Sequence, residues 1–441
     1  MTYTTTERLS YRRIIDIWWP LAFSWLLMSV EIPALSAVIA RLADPEINLA
    51  AYGGVVYPLA LIIEAPIIML LSASTALSRH PQAYQRIWRF MMVTSAVLTG
   101  LHILVAFTPL YDWVVRGVIG VPEEIIEPAR TGLIIMTPWT WAIAYRRFQQ
   151  GVMIRFGYSR AVGMGTIVRL TTGGLVLLAG FLIKSIPGVV VGASAQALGV
   201  VSEAVYAGWR VRRVLRHELA NAPVDQPLTW PAFLNFYLPL ALNSLIFLIW
   251  QPIGSAALSR MPEALISLAV WPVLSGLIFL MRSFGMAMNE VVVALLDRPG
   301  AATRLRQFST RLALGITALQ LGLAVTPLAG LYFRKVSGLP FELAELARLG
   351  FWIALPLAAA TVFQSWFQGA LLHSKRTRAI PESVVVFLLT VMLFLGAGVA
   401  WGRVTGLYVL LTGFVLANLT QLGWLWFRSR TVLQKLLERD S

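Results

Sequence analysis

The chain has 441 residues, of which 58% are hydrophobic and only 13% charged, and its mean hydropathy is +0.72. Soluble domains carry roughly one quarter charged residues, so this chain lacks the polar groups to cover a water-facing surface. A net charge of +15 would suggest nucleic acid in a soluble protein, but here the arginines cluster between apolar blocks; cysteine is absent, which excludes disulfides and thiolate metal sites.

The blocks are long enough to cross a ~30 Å hydrocarbon layer as helices. They predict an all-α polytopic membrane fold of about twelve transmembrane helices. In chain order the spans fall at 14–40, 49–77, 87–108, 130–153, 161–183 and 187–209. After a polar stretch they resume at 233–259, 263–295, 310–333, 346–372, 381–401 and 405–427. The first block follows a short polar start and runs for a full span, unlike a cleavable leader.

Ionisable residues inside such spans are costly and therefore candidates for function. Glu31 sits late in the first span and Glu64 near the middle of the second. Either can carry a coupling proton or gate the protein, or can simply pair with a buried arginine. His102 in the third span reads as structural. Arg146 and Arg147 lie well inside the fourth span, and Arg169 is in the fifth; snorkelling to the interface is the competing explanation. In the eighth span Arg282 and Asn289 are seven residues apart, as are Ser283 and Glu290. All four thus share one helical stripe. Arg282 is the first choice to hold an anion, because guanidinium matches carboxylate and phosphate as a planar fork. The alternative is an ion pair from Arg282 to Glu31 or Glu64.

With the N-terminus inside, inner segments carry most of the 36 lysines and arginines. The positive-inside rule then places both termini in the cytoplasm of a plasma (inner) membrane.

An internal repeat organises the chain. Pro20-Leu21-Ala22 returns as Pro239-Leu240-Ala241, Pro33 as Pro252 and Arg41 as Arg260, at an offset of 219. Thr108-Pro109 returns as Thr326-Pro327, Pro138 as Pro356, and Phe148-Gln149-Gln150-Gly151 as Trp366-Phe367-Gln368-Gly369, at an offset of 218. The repeat predicts a six-helix lobe at 1–217, a cytoplasmic linker at 218–230 and a second six-helix lobe at 231–441. An even number of spans per half implies an axis along the membrane normal, with a substrate site expected between the lobes. Arg146 and Arg147 are answered by Gln364 and Ser365, so charge there is not a requirement of the repeat.

Two six-helix halves, an early proline and later acid in the first span, and Leu49-Ala50-Ala51-Tyr52-Gly53 resemble the multidrug/oligosaccharidyl-lipid/polysaccharide (MOP) flippase superfamily. Trp19-Pro20-Leu21, Tyr57, Gly151 with Arg155, Tyr158 and Ser159, Pro252-Ile253 and Ser259-Arg260 are closer to the progressive ankylosis protein group. Multidrug and toxic compound extrusion (MATE) transporters are more distant. The resemblance implies alternating access. For the ankylosis group it implies export of small organic or phosphate-bearing anions such as citrate, nucleotides or pyrophosphate. For the multidrug branch it implies proton- or sodium-driven export of cations through an acid where Glu31 stands. That pattern has Asp followed soon by glycine, whereas Glu31 precedes Ile32-Pro33.

No P-loop, zinc pattern or Gly-x-Ser-x-Gly elbow occurs, which argues against an enzyme. The expected partners are the lipid bilayer and one small, anionic substrate, with no nucleic acid, in a monomer. No cofactor is expected beyond a coupling proton or sodium ion. The leading expectation is an anion-exporting transporter. Substrate ligands would be Arg282, Arg146, Arg147, Arg169 and Asn289; coupling or gating would fall to Glu31, Glu64 and Glu290. A multidrug exporter or lipid-linked precursor flippase is the alternative; a membrane scaffold or lipid-modifying enzyme comes behind both.

Overall fold

The computed structural model describes residues 9–223, 227–374, 376 and 378–440. Residues 224–226 of the expected linker, and the first eight of the expected N-terminal lobe, lie outside the described residues. Every regular element among the described residues is helical. We number them α1 (Tyr11–Ile39), α2 (Pro45–Leu77), α3 (Pro81–Phe107), α4 (Ile126–Ile135 with Thr137–Arg155), α5 (Ser159–Ile183) and α6 (Gly188–Leu219). The second half supplies α7 (Trp230–Leu258), α8 (Ala264–Leu295), α9 (Ala301–Val325), α10 (Phe341–Ile353 with Pro356–His373), α11 (Ala379–Trp401) and α12 (Gly406–Glu438).

Ten of these are long and apolar enough to cross a membrane, and α10 makes an eleventh if its two parts, bent by 43°, count as one span. The expected fourth span is helical, but its second part carries Arg146, Arg147 and Arg155 and falls outside that apolar class. The chain is a multi-pass membrane protein, and two of the four candidate arginines, Arg146 and Arg147, lie in this more polar helix.

Local sequence explains the ends. Thr108 and Thr326 each precede a proline, which pushes the residue before it out of the helical region; both are extended and end α3 and α9. Each hydroxyl donates back to a carbonyl four residues earlier, Thr108 to Leu104 at 2.6 Å and Thr326 to Gly322 at 2.7 Å. Thr229 caps α7 by accepting from the Ala232 amide at 3.3 Å, with Pro231 in the first turn. The expected linker is therefore narrower than 218–230, because α6 runs to Leu219 and α7 begins at Trp230.

Helix packing repeats with the sequence. A Cβ at Gly132 would strike Val56 and Val189; one at Gly350 would strike Leu274 and Leu411 and touch Leu407 at 3.8 Å. A Cβ at Gly151 would lie 2.5 Å from the Leu71 carbonyl oxygen and 2.7 Å from Ser74 Cβ, and one at Gly369 would lie 3.0 Å from the Asn289 oxygen and 2.7 Å from Val292 Cβ. The glycines, and all of these partners except Leu411, are offset by 218. Since Arg41 and Arg260 are offset by 219, the first copy carries one extra residue between Arg41 and Val56. A wide π-type turn at Ala51–Val56 lies there, and such turns absorb a single inserted residue without ending a helix.

Compactness divides the chain differently from the repeat. A first-half unit comprises 38–260 with 264–269, and a second-half unit comprises 1–37, 261–263 and 270–441. Thus α1 packs within the second-half unit and α7 within the first-half unit. Trp18 Nε1 donates to the Phe284 carbonyl at 3.0 Å, Tyr11 donates to Gln307 at 2.6 Å, and a Cβ at Gly276 would sit 3.2 Å from Pro33. In the first-half unit Tyr237 donates to the Pro66 carbonyl at 2.5 Å, and its ring lies 5.0 Å from Phe90 and 5.5 Å from Phe233.

Candidate functional site

The first-half unit holds a charged cluster in its interior. Gly151 lets α4 approach α2 closely, and the Ser74 hydroxyl donates to the Phe148 carbonyl at 2.7 Å across that contact. This places Arg146, Gln149 and Gln150 in the packed interior. Arg146 Nη1 lies 2.6 Å from Glu203 Oε2 on α6, Gln150 Nε2 donates to Glu203 Oε1 at 2.9 Å, and Arg169 Nε of α5 stands 3.5 Å from Glu203 Oε2. The Glu203 side chain is fully buried and Arg146 is 8% exposed. Arg146 is therefore held by a carboxylate and does not reach for an interface. Such a pair is retained only when its hydrogen bonds offset the loss of hydration.

Glu64 extends this cluster. It ends the helical run Tyr57–Glu64 within α2, immediately before a tighter turn at Ala65–Ile67 forced by Pro66. It is 3% exposed, and its Oε2 has no hydrogen-bond partner among the described residues. Arg147 and Arg146 act on it electrostatically. Arg147 is half-buried, and its Nε likewise has no hydrogen-bond partner. A carboxylate and a guanidinium that attract without hydrogen bonding leave both free to meet a third group.

The second-half unit is built otherwise. Arg282 on α8 donates from Nε to Thr361 Oγ1 at 2.6 Å and from Nη2 to Asn418 Oδ1 at 3.1 Å, and its Cζ lies 5.4 Å from the Phe414 ring centre. Among the described residues of that unit, no carboxylate joins it. These partners use two of the five guanidinium N–H donors, and none of them carries a negative charge. One turn away Gln364 donates to the Asn418 carbonyl at 2.9 Å and to Gln421 at 3.3 Å.

The register of 218 makes the two clusters counterparts. Arg146 and Glu203 correspond to Gln364 and Gln421, so an ion pair in one half is an amide pair in the other. Glu64 corresponds to Arg282. The carboxylate and the guanidinium thus occupy one repeat position with opposite sign.

Of the remaining candidates, Glu31 is half-buried and belongs to the second-half unit. Asn289 is half-buried; its Oδ1 is buried without a hydrogen-bond partner, and its backbone oxygen faces Gly369. Glu290 is exposed, and Ser283 is buried, donating to its own helix at Leu280. The Arg282 stripe therefore does not gather around one point. His102 is fully buried; its Nε2 lies 2.9 Å from the Leu133 carbonyl, which can only accept, and its Nδ1 lies 2.9 Å from Thr140 Oγ1. It fastens α3 to α4. Glu203, Thr361 and Asn418 did not stand out in the sequence. The usable signal was the spacing shared by Arg146–Glu203 and Gln364–Gln421.

No protein-family model and no curated protein matches the sequence. Solved structures do. The chain is similar to the inward-facing conformation of a multidrug resistance MATE family transporter of the MOP superfamily, with a TM-score of 0.72 at 13% identity over 96% of this chain and 99% of that one. It is also similar to a MOP superfamily transporter from Pyrococcus furiosus described by a binding pocket of reverse polarity suggesting a different function, with a TM-score of 0.61 at 15% identity over 96% of each chain. The lipid II flippase MurJ in an inward closed conformation matches with a TM-score of 0.58 at 13% identity, over 93% of this chain and 89% of that one. The chain has the fold shared by the MATE transporters of the MOP superfamily and this flippase.

Proposed function

We propose that this protein is an alternating-access membrane transporter that exports a small organic or phosphate-bearing anion, with Arg282 as its principal ligand. The observation that supports this is the uncompensated charge of Arg282. A guanidinium inside a membrane span costs several kcal/mol unless something neutralises it. Thr361, Asn418 and Phe414 satisfy or cover parts of it, but all three are neutral. An incoming carboxylate or phosphate supplies the missing charge and meets the unused donors. Arg147 is the second anchor, while Arg146 and Arg169 position it through Glu203. Asn289 lends a polar group near the Arg282 helix face.

Glu64 is the coupling residue in this reading. Its unmatched oxygen beside Arg147 can release that arginine on protonation and reclaim it on deprotonation, which links anion binding to a proton. Glu31 serves as gate or second proton carrier, and Glu290 contributes at most at the helix end. Sodium is the other candidate ion. The transporter works as a monomer in the plasma (inner) membrane with both termini cytoplasmic, and it is not an enzyme.

Export of cationic compounds is the second reading. It is favoured by the fold likeness to multidrug transporters and by the buried carboxylate of Glu64. Proteoliposomes decide between them. Citrate, ATP and pyrophosphate are loaded separately, and efflux is followed with and without a pH gradient. The anion reading expects saturable efflux that is lost in Arg282→Ala while the protein stays folded. Transport of a cationic dye with no anion flux would replace it by the second reading.

A further inference from the structure

The repeat also exposes a difference at the ends of α3 and α9, among residues that belong to neither cluster. In the first half, the short helical stretch after α3 carries Arg116, which lies 3.1 Å from Asp112 and 2.5 Å from Glu123. Glu123 and then Asp112 hold its guanidinium still more firmly protonated than usual. Arg130 nearby donates to the Ala106 carbonyl at 3.2 Å and lies over the Tyr111 ring. With Glu127, two cations there face three carboxylates.

At the corresponding place after α9 two of these three carboxylates are gone. Arg334 answers Arg116, but Gly330 stands where Asp112 would be and Phe341 where Glu123 would be. Arg334 lies over the Phe341 ring at 5.3 Å, a stacking that leaves its in-plane N–H groups available. Lys335 replaces Gly117 and adds a charge. Arg348, the counterpart of Arg130, binds Glu345 through Nε and Nη2, each at 2.9 Å. Three cations and one carboxylate are among the residues that line a hollow of about 520 Å³ here: Thr326, Gly330, Arg334, Lys335, Glu345 and Arg348, together with Val325 and Leu331. Those two apolar residues, with Leu328 and Phe341 beside them, are 50% to 62% exposed. The hollow is basic within and apolar at its rim.

We infer that this hollow between the end of α9 and the start of α10 is a binding site for a phosphate-bearing anion, separate from the interior clusters and independent of the transport reading. The open guanidinium of Arg334 and the neighbouring charges suit a phosphate, whose oxygens accept several donors at once. The apolar rim suits a phosphate carried on acyl chains, such as the headgroup of an anionic lipid. A free phosphate would satisfy the same donors.

The test uses the full chain in nanodiscs of phosphatidylcholine with and without phosphatidylglycerol, and separately in detergent with inorganic pyrophosphate. Thermal stability is the readout. The decisive variants are Arg334→Ala and Gly330→Asp. The second restores the carboxylate of the first half, and a Cβ at Gly330 would find only Arg348 Cδ, at 3.9 Å, so the chain has room for it. Arg116→Ala is the control. Phosphatidylglycerol should raise the melting temperature of the parent and of Arg116→Ala, and both decisive variants should lose that shift while melting like the parent in phosphatidylcholine. The lipid concentration for half effect should rise about tenfold or more, as expected when one charge-assisted contact is lost. A shift produced by pyrophosphate and not by lipid, and lost in the same variants, supports the site with a soluble ligand. No shift with either ligand, or a shift that survives both variants, overturns it.

Discussion

The two units place polar groups at matching repeat positions and use them in opposite ways. In the first-half unit Arg146, Arg147 and Arg169 are set against Glu64 and Glu203. In the second-half unit Gln364 and Gln421 replace the central ion pair, and Arg282 stands alone among neutral partners. Both clusters formally carry one excess positive charge, but only the first contains its own anions. A lobe that neutralises most of its charge internally ties its helices together through those pairs. An arginine held only by neutral partners is the one the proposed anion would neutralise. The lesson is that a duplicated scaffold conserves packing, through glycines at an offset of 218, while its charge pattern diverges.

The largest expected effect tests the ion pair itself. Glu203→Ala leaves Arg146 and Arg169 buried without their carboxylate and should cost about 3–5 kcal/mol in a detergent unfolding titration. Gln421→Ala at the matching position removes neutral contacts and should cost only ~1–2 kcal/mol. Equal costs would erase the contrast between the units. Arg146→Gln combined with Glu203→Gln copies the second-half pairing into the first and should recover the larger part of the loss.

Packing comes next. Gly151→Ala drives a methyl against the Leu71 backbone oxygen and Gly369→Ala drives one against Val292. Each should destabilise by ~1–3 kcal/mol, Gly151→Ala more, because its backbone oxygen stands at 2.5 Å whereas the one facing Gly369 stands at 3.0 Å. The reverse order would show that the shared register hides different tolerances.

Arg282→Lys keeps the charge and loses the fork, so anion affinity should fall about tenfold with the fold intact. Unchanged affinity would mean that only the charge matters. The smallest change is Glu64→Gln. It should leave stability near the parent value and flatten the pH dependence of anion flux, measured across a range of internal pH. A profile that still follows pH would move coupling to Glu31.

Much of this was legible beforehand. The all-α membrane class follows from apolar blocks, and the repeat from prolines and glycines in register. The interior arginines showed as rare charges in long apolar stretches. Glu203 is not conspicuous in the sequence, because a single carboxylate hardly lowers the hydropathy of α6, and nothing local announces that Arg146, 57 residues earlier, will meet it. The polar stripe through Arg282 read as one surface, yet Ser283 turned to its own backbone and Glu290 became exposed. Helical spacing predicts which side chains share a face, not which neighbours that face meets.

What the amino-acid order determined is what acts along the chain: helices from apolar length, their ends from Thr-Pro and Thr229, and the doubling from the repeat. The single inserted residue before Val56 is countable in the sequence; its form as a wide turn is structural. Only the tertiary structure decided that α1 packs in the second-half unit and α7 in the first, and which carboxylate holds which arginine. These depend on contacts between residues far apart in sequence, and charge pairing in a low-dielectric interior is set by distances of a few ångströms that no local pattern encodes.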